Sequence, residues 1–180
     1  MRTVPPIKTC LEKKRSDFGF TLVELVTTVT IIAILVVVII PNLSNLIKSS
    51  NVRSVQSEFV SALMLARSEA IKRGVTVGII AEKPSANNEF SAGWSMWSDT
   101  NNNGLKDTDE AIVRRYVDLV GTVSISTGNI SLIAFDPSGF ASSPVEIKVC
   151  STDRSIRGYL ISLKRVGLVD VIEGITCPQI

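Results

Sequence analysis

Gly19-Phe20-Thr21-Leu22-Val23-Glu24 opens an apolar run, FTLVELVTTVTIIAILVVVII, that fills residues 20–40 and stops at Pro41. It carries a single charge, Glu24. At 1.5 Å per residue a helix of this length measures about 30 Å, the thickness of bilayer hydrocarbon, so the sequence predicts a transmembrane helix over 20–40. Ahead of it stand Arg2, Lys8, Lys13, Lys14 and Arg15, against only Glu12 and Asp17. Such a basic leader is expected to stay cytoplasmic, which puts everything after Pro41 on the far side of the membrane. A secretory signal would have a shorter apolar core ending in small residues, whereas this one ends in Ile-Ile-Pro.

The remaining residues of the 180 suffice for one domain of ordinary size. The formal net charge is +2, and the leader holds more than all of it, leaving the remainder near −1. A domain near neutrality lacks the broad positive field that drives nucleic-acid binding. The chain has no histidine, which removes the commonest general base and transition-metal ligand.

Beyond Pro41, which is expected to kink or locally unwind the helix, helical patterning resumes. Leu46, Val52, Val55, Phe59, Leu63, Ala66 and Ala70 recur at three- and four-residue spacing, with Arg53, Glu58, Arg67, Glu69 and Lys72 on other faces. Gly74 reads as the stop. Short β-type runs follow at 76–81, 93–97, 111–117, 122–126, 132–135, 145–150, 158–163 and 167–171, separated by turn-forming clusters. The fold class expected is α+β: a long N-terminal helix, transmembrane then amphipathic, packed on an antiparallel sheet, or two.

The segment Gly19 to Glu24 resembles the GFTLIE motif of type IV pilins and pseudopilins. The resemblance implies that a prepilin peptidase cuts between Gly19 and Phe20 and methylates the new amino group of Phe20. It divides the chain into a discarded leader (1–19), a transmembrane helix (20–40), an amphipathic continuation (41–74) and a periplasmic or extracellular β-rich head (75–180). An isolated carboxylate in hydrocarbon costs several kcal/mol. In the family the acid matching Glu24 is thought to neutralise the terminal amine of a neighbouring subunit, rewarding correct register during filament assembly. The alternative is a plain signal anchor with one stray acid.

The order of later features is similar to one branch, the FimT/FimU minor pilins and GspH-type pseudopilins. Leu63-Met64-Leu65-Ala66-Arg67-Ser68-Glu69-Ala70, Gly93-Trp94 with Asp99 to Glu110, and Phe135-Asp136-Pro137-Ser138-Gly139 carry that likeness. It implies a single-pass inner-membrane protein with its head in the periplasm, later found in a pilus. The implied partners are other major and minor pilins, the prepilin peptidase and the inner-membrane assembly platform. After processing Cys10 is lost, and Cys150 and Cys177 are expected to pair in an oxidising compartment. Closing that segment restricts the unfolded chain by about 3–4 kcal/mol.

Residues 99–110 follow the spacing of a calcium-binding loop: Asp99, Asn101, Asn103, Asp107 and Glu110 as side-chain ligands, Leu105 through its carbonyl, and Gly104 at the sharp turn. The same Asn-rich run with Asn103-Gly104 suits a tight hairpin. The hairpin reading takes precedence, with no cofactor assigned and weak calcium binding as the alternative. Arg154, Arg157, Lys164 and Arg165 are the candidates for contacting DNA phosphates, since some FimT-like pilins bind DNA through a basic C-terminal motif. This chain departs from that motif, and four exposed cations also describe an ordinary solvated face.

No nucleophile–base pair or nucleophile elbow is present, so an enzyme is not expected. The function expected is that of a minor pilin that helps initiate a type IV pilus. The alternatives are a GspH-type pseudopilin of type II secretion and a DNA-binding pilin. The closed C-terminus favours the first.

Overall fold

The computed structural model describes residues 19–84, 89–117 and 122–177, with the side chains of 37–42 outside that description. The expectations for the leader before Gly19, Cys10 included, therefore lie outside the described residues. One helix, α1 (Leu22–Arg73, 52 residues), runs without interruption through Pro41. It ends where Gly74 takes φ 67° and its N–H closes on the Ala70 carbonyl at 2.9 Å, a left-handed stop that glycine adopts without steric cost. The chain divides into two compact units at Pro41 and Asn42.

The transmembrane expectation is corrected here. Among the described residues, no helix is long and apolar enough to cross a membrane. The single-pass inner-membrane location inferred from residues 20–40 falls with it.

In the second unit α1 buries Val52, Val55, Phe59, Ala62, Leu63, Ala66 and Ala70, a stripe at three- and four-residue spacing. Leu46, expected on that stripe, is exposed. At its level the helix meets a polar loop instead, where Lys48 pairs with Asp153. The stripe packs on two antiparallel four-stranded sheets. The first has the order β3 (Ile112–Val117), β2 (Gly93–Asp99), β1 (Thr76–Ala81), β5 (Leu132–Phe135). The second has the order β4 (Val123–Ser126), β6 (Val145–Ser151), β7 (Gly158–Leu163), β8 (Val169–Ile175).

Alternation places Val77, Ile79, Trp94, Met96, Ile133 and Phe135 from the first sheet in one core with Val123, Ile125, Val145, Ile147, Val149, Ile161 and Leu163 from the second. Phe59 of α1 stands edge-on to Phe90 at 5.3 Å and to Trp94 at 4.9 Å, so the helix is keyed to the first sheet by three rings. Strand β2 is buried along its whole length. Trp97 lies over Gly78, where an added Cβ would come within 2.8 Å of the indole nitrogen. Strand β8 starts two residues later than the sequence suggests. Residues 164–168 are spent on a turn, with Gly167 at φ 75° and the Lys164 N–H bonded to the Leu168 carbonyl.

Candidate functional site

The N-terminal motif sits at the start of α1. Gly19 to Thr21 are exposed and non-helical, so the Gly19–Phe20 bond lies just ahead of the first turn. Thr21 caps that turn: its Oγ1 accepts the Glu24 N–H at 3.2 Å, and its carbonyl accepts the Leu25 N–H at 3.1 Å. Thr-x-x-Glu is a helix-start signature, and an acid in the first turn suits the positive end of the helix dipole. Thr27, Thr28 and Thr30 turn their hydroxyls onto the carbonyls of Glu24, Leu25 and Val26 at 2.8–2.9 Å. Their polar groups are thereby satisfied within the helix. Apart from Glu24, what residues 22–36 present outward is mostly apolar, and all of it is exposed.

Cys150 at the end of β6 is joined to Cys177 beyond β8, with Cα atoms 5.9 Å apart. In the sheet β7 lies between these strands, and the bridge crosses it at Gly158. A Cβ there would stand 2.6 Å from Cys177 Sγ and 2.6 Å from the Val149 carbonyl. The sequence identified the pair but not the glycine that makes room for it.

The 99–110 loop is closed by its own hydrogen bonds. Asp99 accepts the N–H groups of Asn103 and Gly104 at 3.1 and 2.8 Å, and Glu110 accepts those of Thr100 and Asp107 at 2.9 and 3.0 Å. Asp107 Oδ2 takes the side-chain amides of Asn101 and Asn103, both at 2.7 Å. The Asn103 Oδ1 atom accepts the Leu105 N–H at 2.7 Å. Five carboxylate oxygens of Asp99, Asp107 and Glu110 thus accept amide hydrogens. Among the described residues, no cluster of three or more Asp, Glu, Cys or His side chains is arranged to hold a metal.

The four candidate DNA-contacting cations fall into two pairs at opposite ends of β7. Arg154 and Arg157 lie in the loop before it, and Lys164 and Arg165 in the turn after it. Six residues of strand separate the pairs by about 20 Å. Lys164 is further engaged with Asp170 at 2.8 Å.

Three polar contacts were not visible in the sequence. Lys48 Nζ lies 2.6 Å from Asp153 Oδ2, and together with the Ser155 N–H and hydroxyl it holds the Asp153 carboxyl well below the usual range. Glu89 is buried, which alone would raise its pKa. The Thr127 and Asn129 N–H groups, at 2.9 and 2.6 Å, outweigh that burial and leave the carboxyl lowered. Arg67 donates to the carbonyls of Gly167 and Val166 at 2.9 and 3.1 Å, fastening α1 to the β7–β8 turn.

A family model described as type II transport protein GspH matches residues 56–167, and the prokaryotic N-terminal methylation motif matches residues 14–40. No curated protein matches by sequence. Among solved structures, the type IV minor pilin FimU of Pseudomonas aeruginosa is similar in two crystal forms. The TM-scores are 0.59 and 0.56 at 17% identity, over 72% and 70% of this chain and 96% and 99% of that one. The minor pseudopilin EpsH of the Vibrio cholerae type 2 secretion system gives 0.52 at 12% identity, over 68% of this chain and 97% of that one. At these identities the likeness speaks for the fold.

Proposed function

The chain belongs to the GspH family of type II transport proteins, pilin-like subunits bearing the N-terminal methylation motif of prepilin-peptidase substrates, and on that premise we propose that it helps initiate a type IV pilus as a minor subunit. Its work is structural and not catalytic. The peptidase cuts between Gly19 and Phe20, the new amino group of Phe20 is methylated, and Glu24 then faces the terminal amine of a neighbouring subunit. The observation that carries this reading is the helix over residues 22–36. Its hydroxyls are satisfied internally and its apolar side chains are bare all round, so other apolar helices are its natural neighbours.

The test is a deletion strain complemented with Glu24→Ala. Loss of surface pili with a cleaved and N-methylated chain is the expected result. Unchanged piliation together with unchanged protein secretion would sink the assembly role.

The family model favours a second reading, a minor pseudopilin of type II secretion. The bridge between Cys150 and Cys177, which fastens the C-terminus, supports the pilus reading instead. The same strain separates them, since a secretion subunit would lose export of a type II substrate and keep its pili.

A further inference from the structure

The loop between β2 and β3 carries the chain's sole Asn-Gly pair, Asn103-Gly104, with acid–base partners already set against its reacting atoms. Asp99, buried at the end of β2, accepts the Gly104 N–H on Oδ2 at 2.8 Å. The Leu105 N–H is donated to Asn103 Oδ1 at 2.7 Å. That second bond closes a ring containing both the side-chain carbonyl carbon of Asn103 and the Gly104 nitrogen. Asp107 Oδ2 takes the Asn103 side-chain amide at 2.7 Å, which fixes the amide with its oxygen toward Leu105. Gly104 has φ 75°, and nothing lies within 4 Å of where a Cβ would stand, so its nitrogen is uncrowded. Asn103 and Gly104 are both exposed to water.

We propose that Asn103 is a self-processing site, deamidated through a cyclic imide formed with Gly104. The Gly104 nitrogen attacks the side-chain carbonyl carbon of Asn103 while its proton passes to Asp99, a carboxylate within the reach of a general base. Charge builds on Asn103 Oδ1, the atom that already accepts the Leu105 N–H, as in an oxyanion hole. The proton held by Asp99 goes on to the side-chain nitrogen, the C–N bond breaks and ammonia leaves. Water then opens the imide at either carbonyl and gives an aspartyl or an isoaspartyl residue at position 103. Nothing is oxidised or reduced, and one water is consumed for each ammonia released. The product sets a carboxylate where an amide met Asp107 Oδ2, so a hydrogen bond becomes a repulsion between like charges. The loop is thereby unfastened once and irreversibly, with no partner protein needed. Asn101 and Asn102 share the loop, but each is followed by an asparagine whose Cβ hinders the imide, and they stay amides.

The experiment follows the purified full-length chain in mild detergent at neutral pH, in heavy-oxygen water. Peptide mass spectrometry reads position 103, and methyltransferase labelling reads its isoaspartyl fraction. The expected result is replacement of the side-chain nitrogen at 103 with uptake of one heavy oxygen, about tenfold faster in the folded chain than in the same chain in urea. Asp99→Asn keeps an acceptor oxygen but not the base, and should bring the folded rate down to the unfolded one. Glu110→Gln loosens the same loop without touching the reacting atoms and should retain most of the rate. Circular dichroism melts check that both variants are folded. A folded rate equal to or below that in urea would overturn the inference, because the hydrogen bonds would then be shielding the amide. So would an unchanged rate in Asp99→Asn, or an equal loss in both variants.

Discussion

Glu89→Gln tests the joint between the two sheets. Glu89 precedes β2 of the first sheet, and its carboxylate holds the turn by which the chain leaves β4 in the second sheet for β5 in the first. That turn contains Gly128 and Asn129 at φ 67° and 74°, a left-handed pair that the two hydrogen bonds keep in place. Glutamine retains one acceptor oxygen and turns an NH2 group toward the other amide. One charge-assisted bond is lost, and a buried N–H is left facing a donor, for about 2–4 kcal/mol in all. At about 2–4 °C per kcal/mol for a chain of this size, the melting temperature should fall by about 5–15 °C.

The pH dependence gives a sharper reading. Glu89 holds its proton less tightly in the folded chain than its ordinary value of 4.5. The unfolded chain therefore binds that proton first, so the contribution is complete above about 4.5 and is lost as acid titrates the folded carboxyl. Urea unfolding of the full-length chain and the variant, compared from pH 7 down to pH 3, should show a gap that is constant at neutral pH and narrows below 4.5. A gap of zero at pH 7, or one that widens in acid, refutes the account.

Gly158→Ala should displace Cys177 or the Val149 carbonyl and cost about 1–3 kcal/mol as overpacking; thiol titration of the folded protein should then find free thiols at Cys150 and Cys177 beyond the one at Cys10, and a fully formed bridge at unchanged stability would argue against the close approach. Phe59→Ala removes the ring between Phe90 and Trp94 and should cost about 3–5 kcal/mol in denaturant unfolding; a loss under 1 kcal/mol would mean that the helix is not keyed to the first sheet there. Lys48→Met should raise the titration of the Asp153 carboxyl toward the ordinary aspartate range in a carbon-detected NMR titration, and an unmoved titration would show that the serine hydrogen bonds alone hold it down.

The helix was legible because its signal is local. Val52, Val55, Phe59, Leu63, Ala66 and Ala70 announce a buried face by spacing alone, and Gly74 announces its end. Strands such as β6 were legible for the same reason, Val145, Ile147 and Val149 alternating with Glu146 and Lys148. What escaped was set by contacts distant in sequence. Glu89 binds residues 38 and 40 positions away, and Arg67 reaches a turn 100 positions away although its place in the helical pattern reads as an outer cation. The four cations near the C-terminus are neighbours in sequence, yet β7 stands between the pairs. The 99–110 spacing is as readable as any motif in the chain. Where its oxygens point is decided by the loop's amides, and spacing does not encode that.

Helix α1 joins two kinds of surface within one element. From Val52 onward its burial is one-sided, a stripe against the sheets with polar residues opposite. Over residues 22–36 there is no sidedness, and the three threonines that could have marked a polar face fold their hydroxyls back onto carbonyls. Leu43, Leu46 and Ile47, past Pro41, are also bare, so apolar exposure continues into the second unit before the head's own core begins at Val52. An exposed Leu or Ile is ordinary by itself, whereas a helix bare and apolar around its circumference has a large incentive to associate. Burial within this chain fixes the head and leaves the apolar side chains of 22–36, Leu43, Leu46 and Ile47 uncovered. That division explains why Leu46, which fits the periodicity of the head's stripe, is exposed: its spacing continues the helix, but the head's core begins only at Val52.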